Sequence, residues 1–144
     1  MVALKEITLE NFDAVIALKV REDQRELVAS NVESIAQAYV QPGCTPLAVY
    51  AEDTLVGFVM YCIDPDDGEW WLYRFMVDAR HQGNGYGRAA LSQVLERIRA
   101  DKTRHRIFLG VESSGVASQA LYRSLGFQFD GRVYGKEQIM VLEW

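Results

Sequence analysis

A glycine-rich segment at residues 80–88, Arg-His-Gln-Gly-Asn-Gly-Tyr-Gly-Arg, constrains the fold more than any other part of the chain. It follows an apolar run at residues 70–77 that predicts a buried strand, and it precedes an apolar-periodic helix. Glycines at alternate positions allow backbone conformations that other residues rarely adopt. If the helix starts near Gly85, the N–H groups of its first turn have no partner within the helix and face the loop. The segment therefore predicts a cradle for a phosphate group.

The spacing of these glycines excludes two common phosphate loops. No Gly-Lys-Ser/Thr closes the segment, as it does in the kinase-type P-loop. The dinucleotide fingerprint needs its third glycine three residues after the second, whereas Gly83, Gly85 and Gly87 are two residues apart. From the segment alone, a glycine-rich turn with no ligand stays open as the alternative.

The composition is that of one folded domain. A chain of 144 residues can form a single good core, and 49% apolar with 24% charged residues is ordinary for a globular protein. The net charge of −5 argues against nonspecific nucleic-acid binding and is compatible with a small cationic substrate. With no signal peptide and no apolar run of membrane-spanning length, we expect no membrane contact and a cytoplasmic location.

The cysteines and histidines do not form a metal-binding pattern. Cys44 and Cys62 are far apart in the sequence and lack CxxC spacing, so we expect reduced core thiols. His81 and His105 are isolated, and no metal site is predicted.

The hydrophobic pattern predicts one α/β (α+β type) domain over residues 1–144 around a mixed sheet. A continuous helix is expected from about Asp23 to Tyr39, where Pro42-Gly43 follows. The other expected elements are strands at 4–9, 47–51, 55–61, 70–77, 107–111, 127–131 and 138–143, and helices starting near Phe12, Gly85 and Ser114.

Two motifs carry a resemblance to a known family. The spelling Arg80-x-x-Gly83-x-Gly85 resembles the acetyl-CoA pyrophosphate loop of the GCN5-related N-acetyltransferase (GNAT) superfamily, and the order of predicted elements matches it. Residues 121–127, Leu-Tyr-Arg-Ser-Leu-Gly-Phe, resemble the superfamily's later cofactor segment. The chain has Gly115 where that segment usually has the Asn that helps hold the pantetheine arm, and Ser118 where it usually has Ala. Plain core packing is the alternative for the apolar positions of that helix.

Within the superfamily, the chain is most similar to bacterial spermine/spermidine (diamine) N-acetyltransferases, over nearly its whole length. The shared segments include residues 18–20, 24, 28–31, 36–39, 56–61, 71–72 and 74–75. The resemblance to the GNAT superfamily implies a mixed, mostly antiparallel central sheet flanked by helices. The resemblance implies acetylation of a small-molecule amine, in particular a polyamine. Two alternatives stay open: an acetyltransferase for another amine (an aminoglycoside, an amino acid, a protein N-terminus or a lysine), and a catalytically idle acyl-CoA-binding module.

The resemblance further implies direct acetyl transfer from acetyl-CoA (CoA), in which the amine attacks the thioester and an oxyanion forms. Loop N–H groups would hold the pyrophosphate, with Arg88 as counter-charge, and Tyr122 would protonate the departing thiolate. The strand before the loop would bind the pantetheine arm as an added strand and donate to the oxyanion. The implied cofactor residues are Phe75, Met76, Val77, Gln82, Gly83, Asn84, Gly85, Tyr86, Gly87, Arg88, Gly115, Ser118 and Tyr122.

Two residues, Tyr73 and Glu112, are candidates for the base that takes the proton from the ammonium. Polyamine acetyltransferases often place a carboxylate where this chain has Tyr73, and a phenol with a pKa near ~10 is a poor base unless it orders a water. Glu112 is the other candidate, its alternative being a solvated strand-end carboxylate.

For the acceptor, carboxylates would attract a polycation and aromatic rings would line a channel for its methylenes, although each residue alone is also explained by surface or core packing. Pairing of the final strands predicts a homodimer. The expected acceptor residues are Asp23, Glu26, Tyr39, Trp71 and Tyr73, with Glu33, Asp64, Asp66, Asp67 and Trp70 as further candidates.

Overall fold

The computed structural model describes all 144 residues and contains one seven-stranded sheet. The strands lie in the order β1-β2-β3-β4-β5-β7-β6, and every neighbouring pair is antiparallel except β4 and β5. This arrangement confirms the predicted α/β (α+β type) fold with a mixed, mostly antiparallel sheet. The elements along the chain are β1 (Val2–Glu6), α1 (Phe12–Ala17), α2 (Asn31–Val40), β2 (Cys44–Ala51), β3 (Thr54–Ile63), β4 (Trp70–Val77), α3 (Tyr86–Arg99), β5 (Arg106–Glu112), α4 (Val116–Ser124), β6 (Gln128–Tyr134) and β7 (Glu137–Glu143).

Helices cover both faces of the sheet. On one face, α3 buries Leu91, Val94 and Ile98 against the strands, in the 3.6-residue period that its sequence shows. On the other face, α1 and α2 cover a smaller cluster that includes Val15 and Phe58. Because both faces are covered, β3 is apolar and buried along nearly its whole length. None of the helices has the length and apolar character that a membrane crossing requires.

The two central parallel strands separate partway along. Only residues Trp70–Leu72 of β4 pair with β5, and their partners are Ile107–Leu109. Just beyond that point β4 carries a bulge, because Met60 of β3 pairs with Arg74 while Tyr61 pairs with Leu72, which leaves Tyr73 as the extra residue. A bulge bends its strand and interrupts pairing. The edge of β4 that faces β5 is therefore free from Tyr73 onward, and a wedge-shaped opening lies between the two strands.

The predicted continuous helix from Asp23 to Tyr39 is wrong in its first part. A short 3₁₀ turn occupies Glu22–Gln24, and α2 begins only at Asn31. The Ser30 side chain accepts a hydrogen bond from the Glu33 N–H at 3.1 Å, which is an N-cap that starts a new helix. The cap therefore outweighed the apolar periodicity on which the prediction depended.

Several strand boundaries also differ from the prediction. β1 lies at Val2–Glu6 instead of 4–9, and β2, β3 and β6 extend beyond their expected ends. The extension of β2 and β3 places Cys44 directly opposite Cys62 across the two strands. Both thiols are free; Cys62 is buried, as a core residue would be, and Cys44 is half-buried.

Candidate active site

A large cleft opens where β4 and β5 separate. Its volume is about 1040 Å³, and we refer to it as the main cleft. The free edge of β4 forms one wall, and the end of β5 with the inner face of α4 forms the other. The glycine-rich segment and the start of α3 close one end. The predicted residues that line it are Glu26, Tyr73, Phe75, Met76, Val77, Gln82, Gly83, Gly85, Tyr86, Gly87, Arg88, Glu112, Gly115, Ser118 and Tyr122.

One end of the main cleft is built from backbone N–H groups. None of the seven N–H groups from Gln82 to Arg88 donates a hydrogen bond to an acceptor within the protein. Gly83 and Gly85 have φ angles of 82° and 79°, and Gly85 is the N-cap of α3 without a side-chain cap. Positive φ favours glycine, so the spacing found in the sequence is what this loop geometry requires. Unpaired N–H groups at the start of a 14-residue helix suit a pyrophosphate.

A buried carboxylate anchors the entrance to this loop. Asp78, 3% exposed, accepts hydrogen bonds from the Lys19 N–H at 3.0 Å and from Arg80 Nε at 2.8 Å. Burial alone would raise the pKa of Asp78, but the hydrogen bonds from Arg80 and from the Lys19 and Arg80 backbones outweigh it, so its pKa is lowered. Arg80, the first residue of the motif, is thus held to Asp78 and does not line the main cleft.

Two other loop side chains take different positions. Arg88 is exposed, makes no ion pair and lines the main cleft, as a counter-charge to a phosphate would require. Asn84 does not line the cleft with its side chain, because its Nδ2 donates to the His81 carbonyl at 3.0 Å. Asn84 therefore offers only its backbone N–H to a ligand.

Tyr122 lies at the other end of the main cleft, buried at 7% exposure on α4. Its hydroxyl makes no hydrogen bond within the protein. Burial and the negative charge of Glu137 raise the pKa of Tyr122 well above the usual value for tyrosine. The phenol is consequently protonated throughout the neutral range and can donate its proton.

Glu137 is a site residue that was not predicted. It begins β7, lies directly across from Glu112 of β5 and lines the main cleft with it. The sequence places Glu137 in a turn after a short strand, with no nearby motif. Only the pairing of β7 with β5 brings it to the site, and that register could not be read from the sequence.

A second, smaller cavity of about 510 Å³ adjoins the main cleft, and we refer to it as the side cavity. The two share Leu72, Tyr73, Arg74, Gly110 and Glu137 in their walls. Three carboxylates from the turn before β4, two aromatic rings and the Arg132 guanidinium also line the side cavity, together with Gln37 and Ile139; the carboxylates and rings are Asp64, Asp66, Asp67, Trp71 and Tyr134. The arrangement combines negative charge with apolar ring surface, which suits an alkyl chain that carries ammonium groups.

Tyr73 is held by hydrogen bonds on both sides of its hydroxyl. It donates to Asp64 Oδ2 at 2.7 Å and accepts from Gln41 Nε2 at 3.0 Å. Burial and the hydrogen bond to Asp64 raise its pKa, so the phenol is protonated at neutral pH. This arrangement argues against Tyr73 as a base, because its proton is already committed to Asp64. It favours a role in shaping the acceptor region.

The remaining acceptor candidates are divided by the fold. Glu26 lines the main cleft, and Trp71 lines the side cavity, where its Nε1 donates to Asp67 at 2.8 Å. Asp23 pairs with Arg21 and lines neither, and Tyr39 projects from α2 with 89% of its surface exposed and also lines neither. Among the further candidates, Glu33 lies in the exposed first turn of α2, and Trp70 packs edge-on against Tyr61 in the core.

Comparison with known proteins adds independent information. Residues 4–127 match the family model described as acetyltransferase (GNAT) family. The chain is 31% identical over 147 aligned positions to the spermine/spermidine N(1)-acetyltransferase of Bacillus subtilis, an alignment that covers 97% of both chains.

Solved structures share the fold at lower sequence identity. A crystal structure of an aminoglycoside acetyltransferase in complex with coenzyme A superposes with a TM-score of 0.82 at 17% identity, covering 99% of this chain and 95% of the other. The spermidine N-acetyltransferase of Vibrio cholerae, in complex with CoA and spermine, superposes with a TM-score of 0.76 at 17% identity, again covering 99% and 95%.

Proposed function

The chain belongs to the acetyltransferase (GNAT) family, and on that premise we propose that it transfers the acetyl group of acetyl-CoA to a primary amine of a small polycation, of the spermine and spermidine class. Acetyl-CoA supplies a thioester whose carbonyl carbon is open to attack by an amine. The residues of the main cleft fit this group, because the free N–H groups at one end suit its pyrophosphate and the free edge of β4 suits its pantetheine arm.

Within this proposal, the N–H groups of residues 82–88 hold the pyrophosphate and Arg88 adds a counter-charge. The backbone of Phe75, Met76 and Val77 orients the donor as an added strand would, and supplies an N–H to the oxygen on which negative charge develops. Gly115 has no side chain to contact the pantetheine arm, at the position where the superfamily usually has Asn. A Cβ there would lie 3.3 Å from the Glu112 carbonyl oxygen, so the position has little room for a larger residue.

Tyr122 is proposed as the acid that protonates the leaving sulfur. Its hydroxyl lies in the cleft, is protonated at neutral pH and has no protein partner to compete for its proton. General acid catalysis of this kind contributes about 10²- to 10⁴-fold to a rate.

The observation that carries the choice of acceptor is the side cavity. Asp64, Asp66 and Asp67 line it, and it meets the main cleft where the acetyl group would be presented. The 31% identity to a spermine/spermidine N(1)-acetyltransferase over 97% of the chain supports the same acceptor class.

A thiol-release assay with acetyl-CoA tests the proposal. The panel contains spermine, spermidine, putrescine, a lysine peptide, an amino acid and an aminoglycoside. We expect turnover with the polyamines at a kcat/KM at least about 10-fold above that for the other amines, which corresponds to about 1.4 kcal/mol of discrimination. A preference for another amine would still support acetyl-CoA as the donor but would exclude polyamines as the acceptor class. Tight acetyl-CoA binding without turnover on any amine would favour a binding module.

Three further points belong to the proposal: that residues 1–144 act as one catalytic domain, that the protein works in the cytoplasm, and that it forms a homodimer. β6 is an edge strand whose Val133 and Tyr134 are 60% and 54% exposed, which supports pairing with a second copy. Cell fractionation tests the location. Light scattering on wild type and Val133→Lys tests the dimer, and a wild-type mass of one chain would overturn it.

A further inference from the structure

Glu137 lies where the two cavities meet. It is one of the residues that line both the main cleft and the side cavity. Its carboxyl group lies over Gly110 of β5, because a Cβ built at Gly110 would be 3.0 Å from both the carboxyl carbon and Oε2. Gly110 therefore leaves the space that the carboxylate occupies, and any side chain there would displace it.

Glu137 faces a second carboxylate at close range. Glu112 is its direct partner across β5 and β7, so both side chains are on the same face of the sheet and both line the main cleft. Like charges at directly opposite positions destabilise a strand pair. A cation bound between the two carboxylates would remove that repulsion.

Nearby cations do not neutralise Glu137. On β4, Arg74 donates to Gln37 at 2.9 Å and to the Tyr73 carbonyl at 3.0 Å. On β6, Arg132 pairs with Asp130 at 2.7 Å and packs on Phe108. The carboxylate thus stays available to an external cation. Lys136, its neighbour in the chain, also lines the main cleft and forms no ion pair with Glu137, and the side cavity adds the carboxylates of Asp64, Asp66 and Asp67.

Tyr122 supplies an independent sign of a ligand at this point. It is 93% buried, since its exposed fraction is 7%, and its hydroxyl lines the cleft without a hydrogen-bond partner. The charge of Glu137 acts on this same phenol. An unpartnered hydroxyl on a side chain that is 93% buried in the cleft wall indicates a place where a ligand can supply the missing hydrogen bond.

We propose that Glu137, with Glu112 opposite, binds the reacting ammonium of the acceptor and takes its proton. The N–H bond breaks, its electron pair stays on nitrogen, and the proton forms an O–H bond with the Glu137 carboxylate. The neutral amine is then the nucleophile, and the carboxylic acid returns its proton to water, because Glu137 is solvent-exposed. This inference rests on the proposed function and names the residue that prepares the nucleophile at the same site.

The inference predicts which amines depend on Glu137. A residue that binds the reacting nitrogen affects every amine, whereas a residue that binds a distant ammonium affects only polyamines. We compare Glu137→Gln and Asp66→Asn on spermidine and on butylamine, which has one nitrogen. Glu137→Gln is expected to raise KM about 10- to 100-fold and to lower kcat for both amines, because a charged hydrogen bond is lost. Asp66→Asn is expected to raise KM for spermidine alone.

Two further variants separate charge from position. Glu143→Gln makes the same change at the far end of β7, outside both cavities, and is expected to match wild type. Gly110→Ala keeps every charge but displaces the Glu137 carboxylate, and is expected to raise KM for both amines about 3- to 10-fold, a part of the range for a charged hydrogen bond. Calorimetry of spermidine binding without acetyl-CoA gives a readout other than turnover, in which Glu137→Gln weakens binding by a similar factor.

The outcomes distinguish this inference from the proposed function. If wild type acetylates polyamines and Glu137→Gln keeps its KM and kcat for both amines, Glu137 has no such role and the proposed function stands. If Glu137→Gln impairs the reaction with spermidine but not with butylamine, Glu137 binds a distant ammonium and the inference is overturned. If wild type neither binds nor acetylates any amine, the proposed function fails and this inference fails with it.

Discussion

The two ends of the site differ in the groups that form them: backbone groups at one end and side chains at the other. The proposed pyrophosphate end consists of backbone N–H groups from Gln82 to Arg88, whereas the proposed acceptor end consists of side chains such as Asp64, Tyr73 and Glu137. A backbone site is insensitive to most side-chain changes and depends on the φ angles that only glycine supplies. A side-chain site depends on charge and on the packing that orients it. Substitutions at the acceptor end can therefore change which amine binds while the other end still binds the pyrophosphate.

The largest expected effect is at Tyr122, which lies between the two ends. Tyr122→Phe removes only a hydroxyl that has no partner in the protein, so we expect folding and acetyl-CoA affinity to be unchanged. The rate should fall about 10²- to 10³-fold, because the leaving sulfur loses its proton donor. Steady-state kinetics with calorimetry of acetyl-CoA binding checks this, and an unchanged kcat would show that Tyr122 only packs.

At the backbone end, Gly85→Val is the sharpest change. Its φ of 79° is strained for a β-branched residue, and no protein atom lies within 4 Å of the new Cβ, so the effect comes from the backbone. We expect acetyl-CoA affinity to fall about 10- to 100-fold, with about 1–2 kcal/mol lost from the free energy of unfolding.

Gly131→Val is the matched control for that variant. Gly131 of β6 has a φ of 94° and also has no atom within 4 Å of the new Cβ, but it lines neither cavity. We expect a comparable loss of stability with acetyl-CoA affinity unchanged. Equal losses of affinity in the two variants would mean that strain, and not loop geometry, weakens binding.

At the side-chain end, Tyr73→Phe removes the hydroxyl that bridges Asp64 and Gln41. The KM for spermidine should rise about 3- to 10-fold as Asp64 loses its fixed orientation, since a hydrogen bond to a charged group contributes about 1.5–3 kcal/mol, part of which water restores. Acetyl-CoA affinity should be unchanged. A loss of acetyl-CoA affinity would break the division between the two ends.

Asp78 gives the smallest effect on kinetics and a distinct effect on stability. Asp78→Asn weakens the anchor of the loop, with an expected change in acetyl-CoA affinity of less than about 3-fold and a loss of about 1.5–3 kcal/mol in unfolding free energy at pH 7. Because the pKa of Asp78 is lowered in the folded state, its contribution is present above the ordinary value near ~3.9 and is lost as the pH falls below it. The stability difference from wild type should therefore shrink in acid. A difference independent of pH would exclude the charge of Asp78 as its source.

The predictions that the structure confirmed came from short sequence patterns. The glycine-rich segment predicted a helix that begins near Gly85, apolar runs predicted the strands of a mixed sheet, and the family resemblance predicted that the sheet is mostly antiparallel. The prediction for residues 23–30 was wrong because apolar periodicity was followed past the cap at Ser30. Asp23, a predicted acceptor residue, lies in the 3₁₀ turn and lines neither cavity. Tyr39 lies on α2, where a helix was predicted, but it faces solvent and also lines neither cavity.

The sequence by itself determined the backbone end, because the conformational freedom of glycine and the free N–H groups of a helix start are properties of a short, continuous segment. Only the tertiary structure decided the acceptor end. Glu137 meets Glu112 and Gly110 through the pairing of β7 with β5, and Tyr73 meets Gln41 and Asp64 through a bulge in β4. Such contacts join residues that are distant in the chain, and the register between strands that are not consecutive, such as β5 and β7, sets which of them meet.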